Sequence, residues 1–499
     1  MEKREASSSS FTKSSKSHPK LPNEKNKDYS KIIIREFENW SNHHTIFRVP
    51  KMFRDIDEKA YTPQLVSIGP FHYGEKSLEG MQSHKENYYF KKFLDRTEKS
   101  EDDLSNFIKQ RFDVEILPKY AGFIELDLNE FVHIILIDAC FIFELLCSCW
   151  KKDEMDNDYI LRTPLFFGTI KLDLMMLENQ IPFFFLDELY EFSRPLNYPP
   201  TPSSNPNPTP SCDLKLEISS SDDHVVPSFM NLSLCFFGLN FNTFLDKTAV
   251  KHFTDLHRRS WIPIKEDYYF SKTIDNNKEN VTTTLFYATK LDQAGIDFAP
   301  PPPKQDAVVK VYLHERWYTK FLPFLSSCKL QLPVLKIQDN TQNIMRNIIA
   351  MEQCLPDSGK KTPFCNYVSL INKLINTEED VALLIEKNVI ENHLGSTICA
   401  TDMINNLCQN MTLATFMYSK EYYDINKFYN VWYNRAKATL IRIYFNDVWT
   451  TSSTFVAVMI VIFTTISTID SIWSLLENRA GPENIWAQDK LNFGALKNI

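Results

Sequence analysis

Glycine is scarce: 11 residues in 499, roughly 2% where about 7% is usual. Phosphate-cradling loops, nucleophile elbows and dinucleotide-binding turns all rest on glycine, so those enzyme classes are disfavoured from the outset. Cysteine is equally sparse, at 10 residues, far below a disulfide scaffold, and no CxxC or zinc-finger His–Cys spacing occurs. There is no long Lys/Arg run, and the net charge is −8. That balance argues against nucleic-acid binding, which rests on phosphate neutralisation. The N-terminus, MEKREASSSSFTKSSKSHPK, lacks the apolar core of a cleavable signal peptide. Reduced thiols on the cytosolic side are the expectation. On that expectation, the Asn-X-Ser/Thr sequons at Asn231, Asn280 and Asn410 are chance matches in an Asn-rich chain.

Apolar sequence, by contrast, is ample. Hydrophobic residues make up 43% of the chain, with 37 Phe, enough for a sizeable core. Residues 1–30 carry seven Lys/Arg and four Asp/Glu without apolar periodicity, so a solvated, disordered tail is expected. Residues 31–446 then read as one helical body. Residues 31–49 look like a short amphipathic helix leading into a loop, and 81–112 like a long helix that a Ser100/Asp103 capping box would split in two. Residues 124–150 are strongly apolar but include Glu125, Asp127, Glu130, Asp138 and Glu144. Those charges imply a buried central helix rather than a membrane span. Residues 170–193 form a helix bent or broken at Pro182. Seven prolines fall in 195–210, an insert expected to be an exposed, semi-extended loop. Amphipathic helix resumes over 222–260, and Gly295 suits a helix C-cap. Residues 330–337 alternate as a half-buried strand. A helix opened by Asp339 or Asn340 follows, then a Thr377/Asp380 capping box, then one or two helices over 411–446.

Between Asp447 and Asp470 run 22 residues without charge, VWTTSSTFVAVMIVIFTTISTI. A helix of that length is about 33 Å long and crosses a hydrocarbon core of about 30 Å. Val448, Phe455, Val461 and Ile469 mark the expected transmembrane segment, 448–469, with Trp449 and Trp473 at interfacial positions. A short polar tail, 477–499, follows. Arg435, Lys437 and Arg442 precede the segment and Arg479 follows it, which places the body in the cytosol. The lipid bilayer is therefore one expected partner, at the plasma membrane or an endomembrane. A protein partner is expected as well.

No catalytic, cofactor or metal motif emerges. Asp357-Ser-Gly359-Lys-Lys-Thr362 lacks the upstream glycine of a phosphate loop. Asp138, Glu144, Glu178 and His72 are the residues from which an unrecognised acid/base site could be built. A helical enzyme of that kind is the competing reading.

The chain does carry family motifs. They are Val49-Pro50, Tyr61-x-Pro63, Ile68-Gly69-Pro70-x-His72 and Asp138-x-Cys140-Phe141-x-x-Glu144-Leu145. Further along come Leu177-Glu178-Asn179-Gln180-Ile181-Pro182-Phe183, Leu291-x-x-Ala294-Gly295-Ile296-x-Phe298 and Arg346-Asn347-Ile348-Ile349-Ala350-Met351-Glu352-Gln353. Together, and in this order, they resemble the plant family called domain of unknown function 247. Ala139 stands where that family usually has Gly, and Met351 where it usually has Leu. The resemblance implies a mainly helical, plant-restricted protein with a C-terminal membrane span and no defined activity. Some grass members are implicated in self-incompatibility, which would make them recognition proteins. Mechanically, the Asn179 and Gln180 amides are expected to bond backbone groups released where Pro182 interrupts the helix.

Overall fold

The computed structural model describes residues 32–34, 43–151, 157–194, 227–239, 250–261, 286–302, 309–314, 327–355, 362–413, 416–444 and 448–479. The described chain is mainly α-helical with minor β structure, as expected. It ends in an apolar helix long enough to cross a membrane. The expected N-terminal tail 1–30, the whole proline-rich insert 195–210 and the C-terminal tail beyond 479 lie outside the described residues.

The organising element is the helix Leu128–Trp150, 23 residues capped by Asp127, whose carboxylate accepts from the Glu130 N–H. Its apolar residues face in every direction, and nearly all are buried. A helix hydrophobic all round belongs in a core. The N-terminal helices pack on it: Phe90–Arg96, Glu101–Arg111 and Phe229–Phe237. Edge-on aromatic pairs such as Tyr89–Phe141 and Phe143–Phe229 fill the joints. A second apolar cluster is built around the helices Thr341–Cys354, Pro363–Leu374, Glu378–Glu386 and Thr397–Leu407.

Several expectations are corrected. Residues 31–49 do not open on a helix: Ile32–Ile34 (β1) pairs antiparallel with Ile124–Leu126 (β4). Ile46–Phe47 (β2) pairs parallel with Tyr120–Ala121 (β3). Three successive isoleucines satisfy either periodicity, and the distant partner strand decides. The central helix therefore begins at Leu128, after β4. The expected strand 330–337 is two strands in separate sheets, because Pro333 cannot continue a ladder. Ser327–Gln331 (β7) lies between Ile296–Ala299 (β5) and Lys310–His314 (β6). Leu335–Ile337 (β8) pairs with Ile390–Asn392 (β9). The break near Pro182 is a whole segment. The helix Pro164–Asp173 stops nine residues earlier, and Pro182 is the N-cap of Phe183–Ser193. The described residues of 222–260 lie largely in two helices, Phe229–Phe237 and Phe253–Trp261.

Both expected capping boxes form, Ser100 with Asp103 and Thr377 with Asp380. The stretch before Ser100 contains a π turn at Lys85–Tyr89. Gly295 follows Ala288–Gln293 at φ +84°, the left-handed conformation that favours glycine. Asn340 is the N-cap of its helix but makes no side-chain capping bond. Among the described residues, two helices are long and apolar enough to cross a membrane. Leu128–Trp150 has 89% of its most apolar stretch buried, whereas Val448–Leu476 has none.

Candidate functional site

The segment from Leu174 to Pro182 has almost no regular structure, yet it is buried throughout. Its backbone groups, and those of the facing segment 62–72, need partners that no helix or sheet supplies. Side chains provide them. Asp173 accepts from the Gln64, Leu65 and Val66 N–H groups at 2.9, 2.7 and 2.9 Å. The Asn179 carbonyl accepts from the Ile68 N–H at 2.6 Å, and its amide donates to Val66 O and Asp173 O. Gln180 donates to Leu174 O and Met176 O and accepts from the Phe253 N–H. Asn347 accepts from the Leu177 N–H at 2.9 Å and donates to Ala60 O. Gly69 sits at φ +73°, with the Gln180 carbonyl where a Cβ would be, 2.7 Å away. A glycine is therefore required there twice over.

The carboxylates considered as acid/base candidates do not converge. Asp138 pairs with Lys85, which also donates to Ser67 O, and accepts from the Gly69 N–H at 2.8 Å. Glu144 binds Arg96 at 2.6 Å on another part of the central helix. Only Glu178 and His72 meet, with Nε2 3.4 Å from Oε2. Their cleft, about 520 Å³, is also lined by Arg48, Lys51, Arg54 and Phe123. Arg48 and Arg54 reach the same Glu178 oxygen at 3.2 and 2.7 Å, and the Val49 N–H binds the other oxygen. Glu75 holds His72 Nδ1 at 2.6 Å. Burial acts to raise Glu178, but His72, Arg54 and Arg48 prevail and hold it down at about 2. Asp173 shows the opposite outcome. Burial outweighs its three backbone donors and pushes it up to about 6.

Pro50, Tyr61, Pro63 and Pro70 shape the loop that carries these groups. Pro50 is the N-cap of the short helix Lys51–Arg54, and Tyr61 is buried beside it in sequence. Glu352 and Gln353 lie elsewhere. Glu352 accepts from the Phe364 and Cys365 N–H groups at the start of Pro363–Leu374, with Arg258 3.4 Å away. Gln353 ties down Thr412. Among the described residues no three His, Cys, Asp or Glu side chains could jointly hold a metal ion. None of the nine described cysteines forms a disulfide. Sequence reasoning missed Arg48 and Arg54. Their signal was Glu178 itself, a carboxylate inside an apolar stretch that demands a cation.

The described chain is thus a helical body whose buried carboxylates meet backbone N–H groups, arginine, lysine and histidine, followed by an exposed apolar helix. The chain belongs to the plant family domain of unknown function 247, whose model, described as a plant protein of unknown function, matches residues 46–463. It is similar to the Arabidopsis thaliana UPF0481 protein At3g47200, 26% identical over 458 residues, 88% of either chain. A second Arabidopsis thaliana UPF0481 protein, At3g02645, is 25% identical over 519 residues, 88% of this chain and 92% of that one. No solved structure matches.

Proposed function

We propose that the chain is a single-span membrane protein whose cytosolic helical body recognises a protein partner, and that it is not an enzyme. The carrying observation is the contrast between its two long apolar helices: the first is core, while the second covers 29 residues, Val448–Leu476, with nothing buried against the body. Twenty-nine residues at 1.5 Å each are about 43 Å, ample for a tilted crossing. The Arg48–Glu178 cleft supports recognition over catalysis. A carboxylate held at about 2 is neither a proton donor nor an effective base near neutral pH. Meanwhile Lys51 and the half-exposed ring of Phe123 stand at the rim, a charged contact beside an aromatic anchor.

Two measurements test this. The intact protein should stay with membranes through a carbonate wash, and a chain ending at Asp447 should be released folded. Retention of the shortened chain in the pellet would remove the anchor. Proximity labelling of the intact protein in plant cells should yield protein neighbours that are lost with Lys51→Glu and Phe123→Ala. Neighbours unchanged by both substitutions would rule out the cleft as the recognition surface.

A further inference from the structure

The helix Trp432–Tyr444 lies just ahead of the apolar helix, and its two faces differ. Asn434 is buried and Ala438 half-buried. Both pack on Gly295, where an added Cβ would stand 3.4 Å from the Ala438 Cβ and 3.9 Å from the Asn434 carbonyl. That face docks on the body. Positions four and three residues apart share a helix face, so Trp432, Ala436, Leu440 and Ile443 form one stripe on the opposite side. Trp432, Leu440 and Ile443 are 72%, 54% and 58% exposed. By helical spacing Arg435 and Lys437 fall on the two edges of the stripe, and the helix contains no acidic residue. Arg442 also reaches Asp292 at 2.9 Å, which fixes its side of the helix to the body.

The position relative to the apolar helix is equally specific. The Thr454 hydroxyl donates to the Tyr444 carbonyl at 3.2 Å. The end of Trp432–Tyr444 therefore lies beside the second turn of the apolar helix, about 9 Å along it from Val448. An amphipathic helix in a membrane interface sits about 5–10 Å deep. Ile443 and Tyr444 also form, with Trp449, Ala457, Val458 and Ile462, an apolar notch of about 720 Å³. Hydrocarbon suits such a notch better than water does.

We propose that Trp432–Tyr444 is an interfacial helix that lays its Trp432–Ala436–Leu440–Ile443 stripe on the anionic leaflet from which Val448–Leu476 enters the bilayer. The assignment rests on the membrane-anchor reading above. It adds that the body is held against the lipid surface at a fixed angle and does not swing on a tether. Charge complementarity selects the occupant, because basic side chains bordering an apolar stripe match acidic headgroups over acyl chains.

The test uses the full chain in phosphatidylcholine vesicles, with and without phosphatidylserine. A photoreactive benzophenone amino acid replaces Leu440 in one preparation and Phe455 in another. With phosphatidylserine present, illumination should yield lipid adducts from both positions. At Leu440 the yield should fall roughly five-fold without phosphatidylserine or with Arg435→Glu. Adducts from Leu440 to a second copy of the chain, or none to lipid while Phe455 labels lipid, would overturn the interfacial helix alone. An equal Leu440 yield without phosphatidylserine would overturn the anionic surface. Failure of Phe455 to label lipid would overturn the anchor and this inference with it.

Discussion

Asn179 makes three bonds, and each goes to a backbone group that has no helix or sheet partner. Asn179→Ala would strand the Ile68 N–H and the Val66 carbonyl in a dry interior, while the Asp173 carbonyl would keep the Met176 N–H. The expected loss is about 1–3 kcal/mol, read as a lower urea midpoint with unchanged slope. An unchanged midpoint would refute that role. His257 is a second residue with a definite cost. Burial, reinforced by Lys171, lowers it to about 3 from an ordinary 6.5. Its ring packs edge-on against Phe237 at 4.7 Å. The unfolded chain takes up a proton near pH 6.5 and the folded chain does not, so this residue withdraws stability as pH falls below 6.5. By pH 5 the loss is about 2 kcal/mol. Asp173, raised to about 6, acts in the other sense: it favours the fold at low pH and loses that contribution as pH rises through 6. His257→Phe should therefore leave the protein more resistant at pH 5 than its parent. Unfolding curves at pH 7 and 5 that shift equally in both proteins would contradict this.

Helix boundaries were legible in the sequence wherever a local device sets them. Ser100–Asp103 and Thr377–Asp380 each close a box within four residues, so spacing alone revealed them. Ser100→Ala should cost about 1 kcal/mol in chemical denaturation. A change below a few tenths would mean that neighbouring packing, not the cap, fixes that end. Pairing across long separations was not legible. β1 needs β4, some ninety residues away, and three isoleucines do not say which partner awaits them. The cleft failed for the same reason. Arg48 and Arg54 meet Glu178 across 130 and 124 positions, and only the fold brings them together. The helix Pro363–Leu374 shows an intermediate case. Proline occupies its first position, where the missing N–H costs no helix bond. Its cap is borrowed from the Glu352 side chain of the preceding helix, where the carboxylate also meets the positive end of the helix dipole.

At the scale of the molecule, the two apolar clusters are joined by polar side chains. Leu177 belongs to one and Leu174 to the other, and the segment between them is held by Asn347, Gln180 and Thr254. Neither cluster can open without breaking those bonds, so the purified protein should unfold in one step. Urea transitions followed by far-ultraviolet and near-ultraviolet dichroism should coincide, and two separated midpoints would show independent halves. The same bonds set an order on biosynthesis. Leu177 waits for Asn347, made 170 positions later, so the interior remains open until the chain is well past its middle. The apolar helix begins roughly 100 residues after that, a delay of about 5–20 s at ordinary elongation rates. The ribosome therefore gives the interior time to close before the C-terminal apolar helix emerges. A nascent chain stalled between those two points would be the form most exposed to chaperones.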